Sequence, residues 1–415
     1  MSGNSGNGDV YPFNPKEMRS GVPTEEDLRK IYGDAWDESN DPQFRIRDWG
    51  MDRYVGTAEP IDWLIEDVLP RGVPGLMASL GGIGKSYLLL DLCVRVAAGP
   101  GNFGQFALGG AIKSQGRACM ITAEESFSAV HRRLDQILNP ASKAKLMDRL
   151  FLVPLPDTGG STTFLRQSRG EYLMTPAWFQ FCDEVIEMGD VDLVVIDPLQ
   201  TMVAAELNDP AAAQTFWAHV AKLTAQSGAC VLVAHHMRKG GEIVGQFAAR
   251  EAIRGSGSLV DGCRWVYALW LATNDERTTT SESLGYTVGP LELVHGAVVK
   301  SNDIGVGEQR TYLRDVESGL LEDKTEQLRL EIHAAQQISD EQKKEVLDEV
   351  SRRWELARPY SSHPNARDRW IGRFMVERFS VTRATAREFV RKWMDEGFLV
   401  KDWHSTARIN GLRVG

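Results

Sequence analysis

Short apolar segments alternate with helical segments through the middle of the chain. The apolar segments, which are typical of buried strands, are residues 75–79, 118–122, 150–154, 193–197 and 230–234. Helical patterns occupy the intervening residues 87–98, 126–138, 177–188 and 211–226. Because strands that are apolar on both faces need cover on both sides, this alternation predicts an α/β fold with a mostly parallel sheet between two layers of helices.

From residue 264 onward the helical patterns stop. Residues 264–273, 291–299 and 309–316 have the composition of consecutive strands, which predicts an antiparallel extension of the same sheet. The core is therefore expected to span residues 46–320. Residues 157–175 are open to two interpretations, a mobile lid and a simple insertion.

The two ends of the chain differ in composition from this core. Residues 1–45 are polar and acidic with few apolar positions, so they are expected to form a flexible arm. Residues 321–357 are charged and helical, which predicts a linker. In residues 358–415, two helical patterns, the second capped by Thr382 and ending at Gly397, precede two short strand patterns. A helix pair followed by a β-hairpin is the outline of a winged helix.

The bulk composition is typical of a cytoplasmic protein. A chain of 415 residues is expected to hold two domains and a tail. It has no apolar run of about 18 residues that would span a membrane, and its polar N-terminus lacks the pattern of a secretory signal. The five cysteines are odd in number and have no CxxC spacing, which favours reduced thiols in the core over disulfides or a zinc site.

The charges are distributed unevenly. The net charge of −10 by itself argues against a nucleic-acid partner, but residues 358–415 carry 12 Lys and Arg against 6 Asp and Glu. Arg383, Arg387 and Arg391 recur every four residues and therefore share one face of a helix. This basic face predicts contact with duplex DNA, at an origin or ahead of a fork, and docking of a protein partner stays open.

The strongest local signal is Ser79-Leu-Gly-Gly-Ile-Gly-Lys-Ser86, which lies between a predicted strand and a predicted helix. This spacing is typical of a phosphate-binding loop, in which backbone N–H groups and a helix N-terminus bind phosphate oxygens. Lys85 is expected at the β- and γ-phosphates of ATP, and the Ser86 hydroxyl is expected on Mg²⁺. The consensus begins with glycine, where this chain has Ser79. The predicted nucleotide-binding residues are Gly81, Gly82, Ile83, Gly84, Lys85, Ser86 and Tyr87.

Candidate catalytic groups follow the other predicted strands. Asp197 ends an apolar strand, which is the Walker B pattern of a carboxylate that holds the Mg²⁺ shell. Glu124 and Glu125 follow the strand after the phosphate loop, and the carboxyl ends of parallel strands face the ligand crevice. One of these acids, Glu124 by preference, is predicted to be the general base. His235, in the pair His235-His236, is predicted to sense the γ-phosphate.

The motifs above occur in order with Val130-His-Arg-Arg-Leu134, Ile196-Asp-Pro-Leu199, Ala234-His-His-Met-Arg-Lys239 and Arg254-Gly-Ser-Gly-Ser-Leu. Together they resemble the RecA-like ATPases of the plasmid RepA helicase group, which are related to the DnaB-type hexameric replicative helicases. The resemblance covers roughly residues 55–320. It implies a homo-oligomeric ring, usually a hexamer, with ATP between neighbouring subunits and single-stranded DNA passing through the centre.

The resemblance also implies roles for individual cations. Arg254 matches the arginine finger that completes the neighbouring subunit's site. Lys300 matches a lysine that touches the neighbour's nucleotide in DnaB-type enzymes, although the arginine that follows it there is Asn302 here. A glycine-rich loop with Arg238 and Lys239 is expected either to project into the pore and contact DNA phosphates or to be a mobile surface loop.

These features favour an ATP-dependent DNA helicase or translocase of a plasmid, phage or other mobile element. A second hypothesis is a DNA-binding regulator that uses ATP hydrolysis as an assembly switch without separating strands. A third is a signalling or defence ATPase with a protein partner. Processive unwinding distinguishes the first hypothesis from the second, and turnover that is indifferent to DNA identifies the third.

Overall fold

The computed structural model describes residues 46–415, apart from residues 102–104, 160–161, 207–208, 239–242, 254–256, 336–337, 380 and 382 and the side chains of residues 332–335 and 384. The chain divides after Pro60 into two units. In the first unit, the described residues form two 3-10 turns, Ile46–Trp49 and Met51–Tyr54, in which no residue is buried. The core that was predicted to begin at residue 46 has its strands and α-helices in the second unit, residues 61–415.

Strands and helices alternate along the second unit. In chain order the strands are β1 (Trp63–Ile65), β2 (Leu69–Pro70), β3 (Pro74–Ser79), β4 (Phe106–Ala107), β5 (Gly110–Ala111), β6 (Arg117–Thr122), β7 (Leu150–Pro154), β8 (Leu165–Ser168), β9 (Glu171–Met174), β10 (Val191–Asp197), β11 (Val203–Ala204), β12 (Cys230–His236), β13 (Trp265–Leu271), β14 (Leu293–Ser301), β15 (Arg310–Arg314), β16 (Leu321–Asp323), β17 (Leu399–His404) and β18 (Ile409–Val414). The helices are α1 (Lys85–Ala98), α2 (Phe127–Ile137), α3 (Pro140–Ala144), α4 (Pro176–Met188), α5 (Pro210–Ser227), α6 (Gly245–Ile253), α7 (Gly257–Gly262), α8 (Asn274–Leu284), α9 (Thr325–Ala335), α10 (Asp340–Glu355), α11 (Ile371–Phe379) and α12 (Arg383–Asp395).

The main sheet of the described residues has nine strands in the order β16-β15-β14-β13-β3-β12-β10-β6-β7. The strands from β13 to β7 run parallel to one another. The pairs formed by β14, β15 and β16 are antiparallel. The predicted α/β fold, a mostly parallel sheet with an antiparallel extension, is therefore confirmed.

Hydrophobic side chains pack against both faces of this sheet. Because successive side chains of a strand point to opposite faces, β3 places Leu76 and Ala78 in one cluster with Phe216 of α5. Met77 belongs to the cluster on the other face, together with the apolar side of α1. All four side chains are fully buried. This packing fixes β3 in the middle of the sheet and presents the glycine loop at its carboxyl edge.

A polar helix interrupts the antiparallel strands. The expectation that helices stop at residue 264 is wrong, because α8 begins directly after β13. Thr273 and Glu276 form a capping box, in which each side chain accepts a hydrogen bond from the other's backbone N–H. Within α8 only Thr280 is buried. Apolar periodicity could not reveal such a helix, whereas the Thr-x-x-Glu spacing was a usable signal.

Residues 157–175 contain a hairpin that packs on the core. Strands β8 and β9 pair antiparallel, and β11 joins β8 in parallel. Phe164 and Leu165 are buried in the same cluster as Trp178 of α4. The ring centroids of Phe164 and Trp178 lie 5.4 Å apart in an edge-on arrangement. Of the two interpretations, this packing favours an insertion over a mobile lid.

The C-terminal helices and hairpin share a separate hydrophobic cluster. It contains Trp370, Trp393 and Leu412, together with Val350 of α10. The N–H of Leu412 in β18 donates to the carbonyl of Tyr360 at 2.8 Å, so the chain before α11 pairs with the hairpin. The order helix, helix, hairpin is present as predicted, with α10 as an additional helix. The predicted cap at residue 382 lies outside the described residues.

The predicted linker, residues 321–357, is packed in two parts. Its first part packs with the main sheet, and its second part packs with the C-terminal cluster. Strand β16 completes the main sheet, and Leu328 on α9 is buried against Leu293 of β14. Ile338 already packs against the C-terminal cluster, in which Val350 is fully buried. Charged residues dominate these helices and obscure their few apolar positions. The domain boundaries stay predictions, and the packing favours a boundary near residue 338.

Candidate functional site

The loop between β3 and α1 has a backbone that requires glycine. Gly82 and Gly84 have φ angles of 79° and 105°, which residues with a side chain rarely adopt. A Cβ on Gly84 would also lie 2.9 Å from the Cγ atom of Leu321 in β16. The loop leads directly into the N-terminus of α1, where unpaired helix N–H groups favour a bound anion.

Lys85 and Asp197 form a buried ion pair beside this loop. The Lys85 Nζ to Asp197 Oδ1 distance is 3.1 Å, and the side chains are 5% and 3% exposed. Asp197 ends β10 and lies opposite Thr122, the last residue of β6. The parallel register thus brings the predicted lysine and the Walker B carboxylate side by side, although 112 positions separate them in the chain.

A cleft of about 570 Å³ opens at this carboxyl edge of the sheet. Its volume lies in the range of cavities that bind small molecules. The lining comes from the glycine loop, the residues after β6, helix α2, the end of β12 and the β15–β16 loop. These residues are Ser79, Leu80, Gly82, Gly84, Lys85, Ser86, Tyr87, Glu124, Glu125, Ala129, Arg132, Arg133, Gln136, His236, Arg314, Glu317, Ser318 and Gly319.

The two adjacent acids of the cleft have different surroundings. The Glu125 side chain is 15% exposed and forms an ion pair with Arg133 of α2. The Arg133 guanidinium in turn lies over the Tyr87 ring, 5.0 Å from its centroid. Burial raises the pKa of Glu125, and Arg133 opposes that effect. Glu124 is exposed in the cleft. The geometry therefore leaves Glu124 accessible to a water molecule and engages Glu125 in orienting Arg133.

The two histidines at the end of β12 face different environments, because side chains alternate along a strand. His236 lines the cleft and is half-buried. His235 is 4% exposed and lies opposite Ala78 of β3. Burial, helped by His236 and Lys85, lowers the pKa of His235 to about 4, so its ring is neutral at neutral pH. The sensing role predicted for His235 fits His236 better, since His236 is the histidine that reaches the cleft.

Arg314 is a cleft residue that the sequence motifs did not indicate. It ends β15, and its Nε atom is buried with no hydrogen-bond partner among the described residues. A Cβ on Gly319, in the loop that follows, would lie 3.5 Å from Arg314 Nη2 and 3.8 Å from the Tyr87 ring. Buried donors are normally satisfied, so this guanidinium is suited to a polar or anionic ligand in the cleft.

Two predicted functional segments lie outside the described residues. Arg254, the predicted arginine finger, falls in residues 254–256, and Lys239 falls in residues 239–242. Arg238, which precedes the second of these gaps, is exposed and does not line the cleft. The arginine finger and the DNA contacts of this loop therefore stay predictions.

Lys300 lies away from the cleft of its own chain. Its Nζ atom donates to the carbonyl oxygens of Val260, Asp261 and Cys263 at 2.7, 3.1 and 2.7 Å. These carbonyls lie at the C-terminal end of α7, where a cation stabilises the helix dipole. All three protons of the ammonium group are thereby used. Contact with a neighbour's nucleotide, the predicted role, would require these hydrogen bonds to break.

Replacing Lys300 with Ala is expected to lower the free energy of unfolding by about 2 kcal/mol, because it removes charge-assisted hydrogen bonds from the end of α7. Thermal denaturation compares it with Lys324→Ala, which loses only an ion pair to Glu322 and is expected to have a small effect. An unchanged melting temperature together with a raised KM for ATP would favour the nucleotide contact instead.

The three arginines predicted to share a face of α12 do not share one environment. Arg387 and Arg391 are exposed and line a second, smaller cleft with Lys401 of β17. The guanidinium of Arg383 lies over the Trp370 ring, 5.6 Å from its centroid, and does not line that cleft. The DNA contacts predicted for these arginines stay predictions.

The donor set of the main cleft fits Mg²⁺ better than a metal held by the protein alone. Ser86 and Asp197 supply a hydroxyl and a carboxylate next to Lys85. Mg²⁺ typically takes one or two protein oxygens and completes its shell with water and substrate phosphates. No group of three or more His, Cys, Asp or Glu side chains in the described part of the chain could hold a metal ion.

Comparison with known proteins agrees with this geometry. Residues 40–242 match the family model of an AAA domain. That segment contains the glycine loop, the acids after β6 and Asp197, so the match falls on the elements that form the cleft. In the described part of the chain, no helix is both long enough and apolar enough to cross a membrane.

The chain is also similar to a solved structure of a DnaB-like replicative helicase that was studied for its interactions with primase. The sequence identity is 12%, the TM-score is 0.39, and the match covers 60% of this chain and 57% of that chain.

Proposed function

We propose that this chain is an ATP-dependent DNA helicase or translocase that works as a ring of six subunits in the replication of a plasmid, phage or other mobile element. The observation that supports the ATPase part is the buried Lys85–Asp197 pair beside the glycine loop, with Glu124 exposed in the cleft next to it. The ring and the DNA rest on the resemblance of the motifs to RepA-group and DnaB-type ATPases.

Each residue of the cleft has a separate role in ATP hydrolysis. Lys85 neutralises charge on the β- and γ-phosphates. Ser86 and Asp197 would hold Mg²⁺, which when bound would neutralise charge on the phosphate oxygens. Glu124 accepts a proton from the attacking water. Burial and Lys85 lower the pKa of His236, so its neutral ring donates a hydrogen bond near the γ-phosphate.

Arg314→Ala is expected to weaken ATP binding about tenfold with little change in kcat. The reason is its position on the β15–β16 side of the cleft, beside Tyr87. Steady-state kinetics and titration with a fluorescent ATP analogue measure the effect. Arg329→Ala is the matched control, because that exposed arginine pairs with Glu308 and Glu326. A lower kcat with unchanged KM would show that Arg314 acts in the transition state instead.

In the proposed ring, three further cations outside the main cleft take part in the reaction and in DNA binding. Arg254 of a neighbouring subunit stabilises the charge that develops on the transferred phosphoryl group. Arg238 and Lys239 contact the phosphates of single-stranded DNA in the pore, which makes binding dependent on salt. These roles follow from the resemblance and from the charge of the residues.

A DNA-dependent switch without strand separation is the second candidate. The observation in its favour is the C-terminal hydrophobic cluster, which is distinct from the core clusters and resembles a winged helix in the order of its elements. This order suits a recognition module as well as a helicase accessory domain. A module of this kind suits origin binding, duplex contact or partner docking.

Unwinding of a forked DNA duplex with one labelled strand discriminates between the candidates. The helicase proposal predicts strand displacement with ATP and none with a non-hydrolysable analogue. Nucleotide-dependent DNA binding without displacement would support the switch. If neither displacement nor DNA binding depends on nucleotide while ATP is still hydrolysed, the protein-directed ATPase becomes the better explanation.

A further inference from the structure

A second cleft lies in the C-terminal part of the chain, between α12, the turn before α11 and strand β17. Its volume is about 290 Å³. Arg387 and Arg391 of α12 and Lys401 of β17 supply its cations, and Asp395 is its only carboxylate. Pro364, Val390 and Met394 supply its apolar surface. The cleft therefore combines a positive rim with an apolar floor.

The three cations of this rim differ from neighbouring arginines in their ion pairing. Arg373, Arg378 and Arg413 form ion pairs with carboxylates at 2.6, 2.7 and 2.7 Å. Arg387, Arg391 and Lys401 are exposed, and no carboxylate of the described residues lies within ion-pair distance of them. Their charges are thus available to a ligand, and they come from two elements that converge on one space.

The floor of the cleft indicates what kind of ligand uses it. Val390 is 3% exposed and belongs to the hydrophobic cluster, and Met394 packs against that cluster while also lining the cleft. A DNA backbone would pair with the rim and leave this floor uncovered. Carboxylates that flank an apolar side chain would satisfy both the rim and the floor.

We propose that this cleft is the docking site for an acidic peptide of a partner protein, in which one bulky apolar side chain is flanked by carboxylates. The apolar side chain covers Met394 and Pro364, and the carboxylates pair with Arg387, Arg391 and Lys401. This site goes beyond the proposed helicase activity, because it requires neither nucleotide nor DNA. In this proposal the C-terminal module serves to dock a partner protein.

The test uses the full chain and fluorescence anisotropy at moderate salt. One probe is a short labelled peptide with a single Trp between blocks of Asp and Glu, and another has Ser in place of the Trp. A third is a labelled DNA duplex of random sequence. Arg387→Ala and Met394→Ala are each expected to weaken binding of the Trp peptide about tenfold, the effect of losing one charge-assisted contact or one apolar contact.

The controls separate the cleft from general electrostatics and from the ATPase. Lys392→Ala removes a cation from the same helix outside the cleft, where it lies 4.0 Å from Glu396, and is expected to bind the Trp peptide normally. Lys85→Ala, which is impaired in the main cleft, is also expected to bind it normally. Melting temperatures establish that each variant is folded.

Two results would overturn the proposal. If the Ser peptide binds as tightly as the Trp peptide, or if Met394→Ala has no effect, the floor is not used and the contact is one of charge alone. If the duplex binds, is lost with Arg387→Ala and is unaffected by Met394→Ala while the peptide does not bind, the cleft is a DNA site. Failure of the unwinding assay would leave these results unchanged, so the two proposals fail separately.

Discussion

Lys85→Ala is expected to lower ATP turnover by about 10²–10³-fold, the usual effect of removing one preorganised group that stabilises transition-state charge. Lys85 is the cation beside the glycine loop, and its ammonium already lies 3.1 Å from the Asp197 carboxylate. The variant therefore loses both the cation for the phosphates and the partner of a buried acid. Steady-state release of phosphate by the purified protein measures the loss.

A folding defect must be separated from this catalytic effect, because an unpaired buried carboxylate destabilises a protein. Ser86→Ala keeps the Lys85–Asp197 pair and removes only the hydroxyl expected on Mg²⁺, so it should fold normally and still lose turnover. Lys113→Ala removes an exposed lysine that pairs with Glu66 at 2.8 Å and should be fully active. Undiminished turnover in a folded Lys85→Ala protein would place ATP hydrolysis elsewhere in the chain.

Glu124→Gln is expected to lower turnover by about 10²–10⁴-fold while leaving ATP binding nearly unchanged, since it removes a general base and keeps the shape of the side chain. Glu125→Gln is the matched comparison. This change weakens the ion pair with Arg133, whose guanidinium lies over the Tyr87 ring. It is expected to lower turnover only a few-fold. Single-turnover kinetics and titration with a fluorescent ATP analogue separate hydrolysis from binding. A larger loss in Glu125→Gln than in Glu124→Gln would assign the base to Glu125.

Much of the fold and part of the candidate site could be predicted because the determinants are local. Apolar runs and the helices between them specify a covered parallel sheet. Once that sheet is assumed, residues that follow its strands must meet at one edge, which is why Lys85, Asp197 and Glu124 could be grouped before the structure was known. The glycine loop could be recognised because its backbone φ angles exclude most other residues.

The remaining features depend on contacts that leave no local pattern. Arg314 reaches the cleft only through the pairing of β14, β15 and β16, and an isolated arginine before a turn gives no indication of that. The choice between His235 and His236 depends on the strand register against β3. Lys300 bonds to carbonyls of α7 that lie 37 to 40 positions earlier in the chain. Pairing of this kind is set by tertiary structure rather than by neighbouring residues.

ATP turnover with and without single-stranded DNA tests the central claim most directly. The purified chain is assayed at low and moderate salt, with Lys85→Ala as the control for contaminating ATPases. The proposal predicts that DNA raises turnover several-fold, more strongly at low salt because added salt screens the phosphate contacts. It also predicts that the variant loses almost all turnover under every condition. Turnover that requires Lys85 but is the same with and without DNA would contradict the claim that this ATPase works on DNA.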